Sequence, residues 1–364
     1  MNIILSSDEK GVDMLSVAVY SVAKSHNDVN IKFHILHAGI ETSSQNRIKR
    51  LASEFENILI HFIQVDESRI NGLVLSDDPV PIASYFRYLA PELLPNEDRA
   101  LYMDIDMLCI GRLDKMYRDT SMGEHIYLAA VEDFFVSTTD DYPGIKKGIG
   151  LAEADKYFNT GLLLMNLSAL RDGIMEEFWA TLRTRSKEIP KEFDVFADQT
   201  SANIVFRQKT KFLPGKFNVL TSAMKYKKYD SITIVHFAGP DKPFTYRDEY
   251  SAVYDDAYFT YYEECMSIIG ENDNLMIKNT LRRLGKESSD AIRELVEKRK
   301  IASDKTNHVK ELIAERDSLI ARVYELGGEL ERVRNSKTWR LANHIHALRH
   351  PAEAIKRTSQ NHEK

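Results

Sequence analysis

The sequence predicts an α/β domain with a mostly parallel sheet, followed by a charged helical extension. Apolar segments of strand length alternate with amphipathic helical segments, and several of these strands end in polar residues. Beyond residue 270 the composition becomes highly charged and favours helix. We therefore predict three parts: an α/β domain at 1–270, a helical and short coiled-coil segment at 271–335, and a basic tail at 336–364.

The alternation starts with strand 2–7, helix 13–26 and strand 30–40. Helix 43–55, which we expect a serine to cap, and strand 58–65 continue it. This β-α-β-α-β order implies parallel strands covered by helices, and such sheets bind ligands at the carboxyl ends of their strands. The later candidates are a helix at 84–94 and strands at 99–106, 126–131, 161–167 and 231–237.

Composition indicates a folded protein of ordinary type, with 43% hydrophobic and 29% charged residues in a chain of 364. Cys109 and Cys265 are too few for a disulfide framework and lack metal-ligand spacing, which favours a reducing cytosol. The N-terminal segment lacks signal-peptide features, and no apolar run reaches ~18 residues. We therefore expect a cytoplasmic protein without a membrane-spanning helix.

Charge is distributed unevenly along the chain, whose net charge is -6. Residues 1–270 hold 29 Lys and Arg against 40 Asp and Glu, whereas residues 271–364 hold 20 against 15. An acidic body argues against nucleic acid as the main ligand. The basic extension is compatible with contact to an anionic surface.

The segment RALYMDIDMLCIG, residues 99–111, places two aspartates within an otherwise apolar strand. Burying an unpaired carboxylate is costly, so a compensating partner is expected. Residues i and i+2 of a strand share a face, so Asp104 and Asp106 can share one Mg²⁺ or Mn²⁺ ion while Ile105 faces the apolar side. Two aspartates that meet solvent at a strand end are the alternative.

His236 closes strand 231–237 and precedes Gly239, Pro240 and Lys242. Its imidazole would complete a metal site, Lys242 would neutralise a phosphate, and Gly239 would let that phosphate approach the backbone. A histidine satisfied within a strand turn, followed by a solvated lysine, is the alternative.

Two amide-bearing segments are candidates for sugar binding. Asn159 precedes an apolar run, where its amide suits either a sugar hydroxyl or a turn cap. Asp198 and Gln199 open a helix, where an aspartate taken singly suits an N-cap. The chain has no phosphate-binding or dinucleotide-binding glycine motif and no serine nucleophile elbow, which removes ATPase and dinucleotide-dependent functions.

Six motifs, in this order and spacing, resemble those of family 8 glycosyltransferases over roughly residues 1–270: NIILSSD, SYFRY, LYMDIDMLCIG, YFNTGLLLMNL, DQTSANIVF and VHFAGPDKPF. The resemblance implies a GT-A type nucleotide-sugar-binding domain and a retaining enzyme that uses UDP-sugars with Mn²⁺, Mg²⁺ being the alternative ion. It implies transfer of galactose or glucose to a surface glycan, glycolipid or glycoprotein.

The resemblance also implies a role for each matching position. These positions are Asp104, Asp106 and His236 for the metal; Ser6, Ser7, Asp8, Arg87 and Ile105 for the nucleotide and donor; Gly239 and Lys242 for the diphosphate; and Asn159, Asp198 and Gln199 for the donor sugar and its anomeric carbon.

Three positions depart from the family pattern. Lys10 and Gly11 stand where relatives often carry Asn and an aromatic residue that stacks on uracil, so we expect the nucleobase contacts to differ. Phe244 replaces the usual Trp, which is a mild change.

Gln199 bears on the reaction course, because an amide oxygen is a weak nucleophile. We therefore favour attack from the face of departure, through a short-lived oxocarbenium ion, over a covalent intermediate. Two other functions stay open: a nucleotide-sugar-binding scaffold whose catalysis has lapsed, and a UDP-sugar hydrolase or phosphorylase. The acceptor depends on loops such as 131–150, whose aromatics Phe134, Phe135 and Tyr142 either stack on a sugar or fill a core.

The extension carries a short heptad pattern that predicts a homodimer through residues 309–333; a helix that packs on its own domain is the alternative. The a and d positions are Val309, Leu312, Arg316, Leu319, Val323, Leu326, Leu330 and Val333. The basic tail around Trp339 suits peripheral contact with the anionic inner leaflet of a membrane, or a solvated extension.

Overall fold

The alternating segments at the N-terminus form one half of a central sheet in the computed structural model of the protein. The structure describes residues 1–70, 81–123, 125–139, 141–190, 193, 196, 198–239, 242–243, 252–270, 318–323, 325–329 and 331–332.

The strands of the described residues are Asn2–Ser7 (β1), Ile31–His37 (β2), Ile58–Gln64 (β3), Arg99–Met103 (β4), Met107–Cys109 (β5), Leu128–Glu132 (β6), Phe158–Asn166 (β7), Thr210–Leu213 (β8), Val219–Leu220 (β9) and Ile234–His236 (β10).

The α-helices of these residues are Val12–Ser25 (α1), Thr42–Lys49 (α2), Leu51–Glu54 (α3), Ala90–Leu93 (α4), Asp114–Asp119 (α5), Phe134–Thr138 (α6), Ile145–Gly148 (α7), Leu167–Leu170 (α8), Ile174–Glu188 (α9), Asp198–Phe206 (α10) and Ala252–Ile269 (α11). Short 3-10 helices cover Glu9–Gly11, Glu67–Ile70, Ile82–Leu89, Gly215–Phe217 and Thr221–Ala223.

Within the described chain, the main sheet has seven strands in the order β3-β2-β1-β4-β7-β6-β8. β1 is parallel to β2 and β4, β2 to β3, and β6 to β8, whereas β7 runs antiparallel to β4 and β6. A second sheet has the order β5-β10-β9. The predicted α/β class with a mostly parallel sheet is therefore confirmed.

The strand order explains where a ligand can bind. From β1 the chain winds outward through β2 and β3, and then returns to place β4 on the other side of β1. The strand order reverses between β1 and β4, and in open α/β sheets the ligand crevice is expected at the carboxyl ends of the strands at such a point. Asp8 follows β1 and Asp104 follows β4, so both lie at this crevice.

Both faces of the central strands are buried. Ile4 and Tyr102 belong to an apolar cluster with Phe178 and Phe206 from α9 and α10. Ile3 points the other way, because side chains alternate along a strand, and it too is fully buried. Burial on both faces accounts for the nearly continuous apolar strands of the sequence.

Two local predictions were wrong. The predicted helix at 84–94 is mostly the 3-10 helix Ile82–Leu89, followed by the short α4. The helix after β2 begins at Thr42 without a serine cap. Its first turn instead contacts Glu9, whose carboxylate accepts hydrogen bonds from the backbone N–H of Glu41 (2.8 Å) and the hydroxyl of Ser44 (2.6 Å).

The chain divides into two compact units, residues 1–240 with 257–269 and residues 241–256 with 270–364. The predicted boundaries at 270 and 335 remain predictions. Most of the heptad segment and all of the basic tail lie outside the described residues, although residues 318–323 and 325–329 are helical. In the described part of the chain, no helix is both long and apolar enough to cross a bilayer.

Candidate active site

Asp104 and Asp106 lie in the turn between β4 and β5, which corrects the expectation that they share an extended strand. The strand ends at Met103, and the backbone N–H of Asp104 donates to the carbonyl of Gly161 on β7 (2.8 Å). The turn still brings both carboxylates to one side, where an oxygen of each approaches the same imidazole.

His236 reaches the aspartates because β10 pairs antiparallel with β5. The register sets His236 opposite Met107, and the N–H of Phe237 donates to the carbonyl of Asp106 (2.9 Å). His236 Nε2 lies 3.3 Å from Asp106 Oδ1 and 3.9 Å from Asp104 Oδ2. One ligand atom from each of the three residues lies within 4.8 Å of the others.

Gly161 makes this approach possible. A Cβ at this position would lie 2.5 Å from His236 Cε1 and 2.8 Å from Met107 Cε. These distances are shorter than real Cβ atoms show, so any larger residue would displace the imidazole. Gly161 of the YFNTGLLL motif therefore has a steric role, which is to leave room for the imidazole of His236.

A chain of side-chain amides fixes the orientation of His236. We call Asp133, Asn159, Asn218 and His236 the amide chain. Asn159 Nδ2 donates to Asp133 Oδ2 (3.1 Å), and Asn159 Oδ1 accepts from Asn218 Nδ2 (2.8 Å) and the N–H of Gly161 (3.0 Å). Asn218 Oδ1 then lies 2.8 Å from His236 Nδ1.

The amide chain determines which imidazole nitrogen carries the proton. The backbone N–H of Gly161 can only donate, so the oxygen of Asn159 must face it, and the amide of Asn218 is oriented in turn. Asn218 Oδ1 therefore accepts the proton of His236 Nδ1. With the proton held at Nδ1, Nε2 is the nitrogen that can offer a lone pair to a cation between it and the two carboxylates.

These residues fit a hard divalent cation. His236 Nε2 lies 3.3 and 3.9 Å from carboxylate oxygens of Asp106 and Asp104, and nitrogen and oxygen atoms at this spacing need a cation or a proton between them. Two carboxylates with one imidazole suit Mn²⁺ or Mg²⁺ better than a soft metal. The hydrogen bond at Nδ1 is the outer contact typical of a metal-ligating histidine.

A second group, which we call the charged cluster, consists of Arg87, Tyr88, Asp104 and Asp198. Arg87 is 3% exposed, and its Nη2 lies 3.2 Å from Asp104 Oδ1 while its Nε lies 3.8 Å from Asp198 Oδ2. Its Nη1 donates to the carbonyl of Thr160 (2.5 Å). Tyr88 donates to Asp198 Oδ2 (2.8 Å).

Burial and charge oppose each other in this cluster. Desolvation disfavours the charged guanidinium, but the carboxylates of Asp104 and Asp198 outweigh it and raise the pKa of Arg87. Burial also raises the pKa of Asp104, which Arg87 partly offsets. Tyr102 donates a further hydrogen bond to Asp104 Oδ1 (2.6 Å) and contacts Ser6 Oγ (3.0 Å), which connects β4 to the end of β1.

At the end of β1, Asp8 caps the 3-10 helix Glu9–Gly11 by accepting from the N–H of Gly11 (3.1 Å). A Cβ on Gly11 would lie 2.4 Å from Ser7 Oγ and 2.7 Å from Ile105 Cδ1. The departure at Gly11 therefore has a steric reason, since an aromatic residue would require Ser7 or Ile105 to move.

Asp198 and Gln199 are the first two residues of α10. The carboxylate of Asp198 accepts a hydrogen bond from Tyr88 and lies 3.8 Å from Arg87 Nε. Gln199 Oε1 accepts from the N–H of Thr160 (3.0 Å), and its Nε2 donates to Asp133 Oδ2 (3.3 Å). Gln199 and Asn159 thus converge on one carboxylate.

Asp133 is the residue that sequence reasoning missed. It follows β6 directly and caps α6, and its second oxygen receives the amides of Asn159 and Gln199. The signal was available, because Asp133 follows a predicted strand as Asp8 does. Asn218 was also missed, and no motif marks it.

Two further candidates, Gly239 and Lys242, follow β10 along the chain. Gly239 has φ +78°, a conformation that favours glycine, and lies in a turn after β10. Lys242 is half-buried and belongs to the second unit.

Comparison with known proteins gives consistent matches over the catalytic part. The model of the family described as Glycosyl transferase family 8 matches residues 2–247. A lipopolysaccharide 1,3-galactosyltransferase of Salmonella typhimurium is 25% identical over 264 residues, 66% of this chain and 72% of that protein. A lipopolysaccharide 1,2-glucosyltransferase of Escherichia coli K12 is 24% identical over 259 residues, 67% of this chain and 72% of that protein.

Among solved structures, the galactosyltransferase LgtC in complex with donor and acceptor sugar analogues is 26% identical to this chain, with a TM-score of 0.63. The match covers 72% of this chain and 96% of that one. The fold is therefore of the GT-A type.

Proposed function

The chain belongs to glycosyl transferase family 8, and we propose that it is a retaining hexosyltransferase that uses a UDP-sugar and a divalent metal. The observation that carries this proposal is the convergence of Asp104, Asp106 and His236, with ligand atoms within 4.8 Å of one another. A scaffold without catalysis has no need of a histidine whose tautomer is fixed toward two carboxylates.

Asp104, Asp106 and His236 would hold Mn²⁺ or Mg²⁺. When bound, such an ion neutralises charge on the diphosphate and so assists departure of UDP. Arg87 does not reach outward in this proposal, because its guanidinium donates to the carbonyls of Ser84 (2.6 Å) and Thr160 (2.5 Å). Its remaining neighbours are the carboxylates of Asp104 and Asp198. It acts as a positioning residue that keeps the Asp104 carboxylate in place.

The nucleotide would lie at the crevice between β1 and β4. Ser6, Ser7 and Asp8 end β1 there, and Ile105 contacts this segment from the metal-binding turn. Gly239 would admit the diphosphate to the backbone after β10, and Lys242 would contribute positive charge. These assignments rest on the family motifs and on the strand order.

The donor sugar would lie near Asn159, Asp198 and Gln199. Asp198 is held by Tyr88, and both amides are held by Asp133, so these groups are pre-positioned before a sugar binds. Gln199 Oε1 already accepts from the N–H of Thr160, which further reduces its capacity as a nucleophile. We therefore propose same-face attack by the acceptor, with UDP leaving from that face.

The relatives suggest the substrates. Enzymes named for galactosyl and glucosyl transfer to lipopolysaccharide match this chain over about two thirds of its length. We propose galactose or glucose as the transferred sugar and a cell-surface glycolipid or polysaccharide as the acceptor class. The helical segment and basic tail would support a homodimer or peripheral membrane contact at the cytoplasmic face. Deleting residues 300–364 and measuring oligomer mass and vesicle pelleting tests both roles.

The test of function is a panel of UDP-sugars assayed with MnCl₂, scored by UDP release and by product mass. We expect one UDP-hexose to give a product whose mass increases by one hexose on a glycan acceptor. Asp106→Asn should reduce turnover at least about a hundredfold, because the ion loses a charged ligand. Asp28→Asn, which alters a carboxylate 62% exposed at the surface, is the matched control.

Near-normal turnover by Asp106→Asn would refute the metal-dependent mechanism. UDP release without any glycosylated product, across acceptors, would favour a hydrolase instead. A covalent hexosyl-enzyme trapped in the wild type would refute same-face attack.

A further inference from the structure

An exposed group of aromatic and basic side chains lies beside the candidate active site. We call it the lysine–tyrosine patch; its members are Phe134, Phe135, Lys225, Tyr226, Lys227 and Lys228. Tyr226 is 55% exposed and the three lysines are exposed, while both phenylalanines are half-buried. Neither the metal group nor the amide chain includes any of these residues.

The aromatic rings of the patch contact one another. The rings of Phe134 and Tyr226 are nearly parallel, with centroids 6.0 Å apart, and Phe135 packs edge-on against both. Lys225 Nζ lies 4.7 Å from the centroid of Tyr226, and Lys227 Nζ lies 5.2 Å from that of Tyr229. Aromatic faces of this kind bind the apolar faces of sugar rings, and ammonium groups beside them add charge.

The charge of this region differs from that of the surrounding domain. Between Gln199 and Tyr229 the sequence has no Asp or Glu, although residues 1–270 as a whole are acidic. The basic residues of the stretch are Arg207, Lys209, Lys211, Lys216, Lys225, Lys227 and Lys228. Lys209 pairs with Glu177 (3.7 Å), so the excess positive charge comes from the others. A local positive field on an acidic protein attracts anionic ligands selectively.

The position of the patch relates it to the acceptor and not to the nucleotide. Phe134 directly follows Asp133 of the amide chain, and Tyr226 follows β9, which pairs with β10. β6, which leads to Phe134, lies three strands from β1 in the order β1-β4-β7-β6. The proposed nucleotide crevice is at β1 and the metal group at β4, so a molecule on the patch would approach from beyond the donor sugar.

We infer that the lysine–tyrosine patch binds an acidic sugar of the acceptor glycan, one that carries a carboxylate or a phosphate. The aromatic rings stack on the sugar, and Lys225, Lys227 and Lys228 attract its anionic group. This inference rests on the proposed function, since it identifies the class of acceptor for that same site. It commits to a glycan, and an anionic lipid surface is the competing occupant.

The experiment measures binding of the full chain to an array of matched oligosaccharides. Each neutral glycan is paired with counterparts that differ only by a uronic acid or a phosphate monoester. We expect some acidic members to bind about tenfold more tightly than their neutral partners, as several exposed ion pairs together would give. The preference should shrink as salt is raised.

Two triple variants assign the effect to the patch. Lys225→Ala with Lys227→Ala and Lys228→Ala should remove the preference for acidic glycans. The control triple variant, Lys49→Ala with Lys115→Ala and Arg118→Ala, removes the same amount of charge from α2 and α5. It should keep the preference for acidic glycans. Tyr226→Ala should weaken the binding of acidic and neutral glycans to the same extent, because stacking on the ring does not depend on charge.

Equal binding of neutral and acidic glycans by the wild type would overturn the inference. So would equal losses in both triple variants, which would indicate net charge alone. A separate assay measures pelleting of the protein with vesicles of equimolar phosphatidylglycerol and phosphatidylcholine. If the wild type pellets, the patch triple variant does not, and the array shows no preference for acidic glycans, the patch would be assigned to a membrane. Failure of the wild type to bind UDP with Mn²⁺ would refute the proposed function separately.

Discussion

The charged cluster and the amide chain both reach the turn between β4 and β5, which carries Asp104 and Asp106. They stabilise the residues there by different interactions. Arg87 stabilises Asp104 and Asp198 through opposite charge in a buried setting. Asn159 and Asn218 carry no charge, and they orient His236 through hydrogen bonds that begin at Asp133. One group therefore sets the electrostatics of the site, and the other sets its geometry.

The difference predicts separate consequences for stability and for metal binding. Removing one partner of a buried ion pair leaves a desolvated charge, so the charged cluster should dominate stability. Removing an amide that orients a ligand leaves the fold mostly intact but frees the imidazole, so the amide chain should dominate affinity for the ion.

The largest effect is expected for Arg87→Met, which leaves Asp104 and Asp198 without their buried cation. The free energy of unfolding should fall by about 3–5 kcal/mol, measured by urea denaturation. Arg87→Lys keeps the positive charge but loses the planar guanidinium. Its free energy of unfolding should lie between those of the wild type and Arg87→Met. Arg112→Ala is the control, because its partners Asp28 and Asp114 are at the surface. Equal midpoints for Arg87→Met and Arg112→Ala would contradict the charged cluster as described.

Asn218→Ala should weaken Mn²⁺ binding about 10–100-fold, because His236 Nδ1 loses the acceptor that fixes the ring. Affinity can be measured by electron paramagnetic resonance without any sugar donor. Asn218→Asp keeps an acceptor at this position and should retain more affinity than alanine. Wild-type affinity in the alanine variant would show that the amide chain does not control the metal ligand.

Gly161→Ala tests the close approach at His236. The added methyl group would meet His236 Cε1 at 2.5 Å, so we expect weaker Mn²⁺ binding and a loss of about 1–3 kcal/mol in stability. Gly123→Ala is the matched control, since a Cβ there has no neighbour within 4 Å among the described residues. If both variants behave alike, the steric argument fails.

The smallest effect concerns His34, which lies far from the site and stacks on His61 across β2 and β3. Desolvation by burial lowers the pKa of His34 to about 4, and Lys32 and His61 add to this against Glu97. Its stabilising contribution is complete above the unfolded pKa near 6.5 and is lost as pH falls through the folded value.

The free energy of unfolding of the wild type should fall between about pH 6.5 and 4, and in His34→Gln this fall should be smaller by about 1–2 kcal/mol. Urea denaturation at several pH values measures this, with the exposed His125→Gln as control. Identical pH profiles for wild type and His34→Gln would remove His34 as the cause.

The sequence predicted the fold, and it identified three residues whose side chains the structure brings together. Buried parallel strands leave continuous apolar runs, and Asp104, Asp106 and His236 were visible because they interrupt or end such runs. The expectation of an extended strand through Asp106 was wrong, since apolar residues continue into β5 and conceal the turn. Asp133 was predictable by the same rule that identified Asp8.

Other features were hidden because they depend on contacts between distant segments. The expected role of Arg87 at the donor stays a prediction. Its burial beside Asp104 and Asp198 follows from packing of Ile82–Leu89 against the sheet, which periodicity does not encode. Asn218 lies after a short 3-10 helix without a motif, and its partners Asn159 and His236 are 59 and 18 residues away along the chain.

The most direct test of the central claim is a crystal of the protein soaked with MnCl₂ and UDP, examined at the manganese absorption edge. We expect one anomalous peak in direct contact with Asp104, Asp106 and His236 Nε2, with the diphosphate completing its coordination. A peak elsewhere, or one that His236 does not contact, would contradict it.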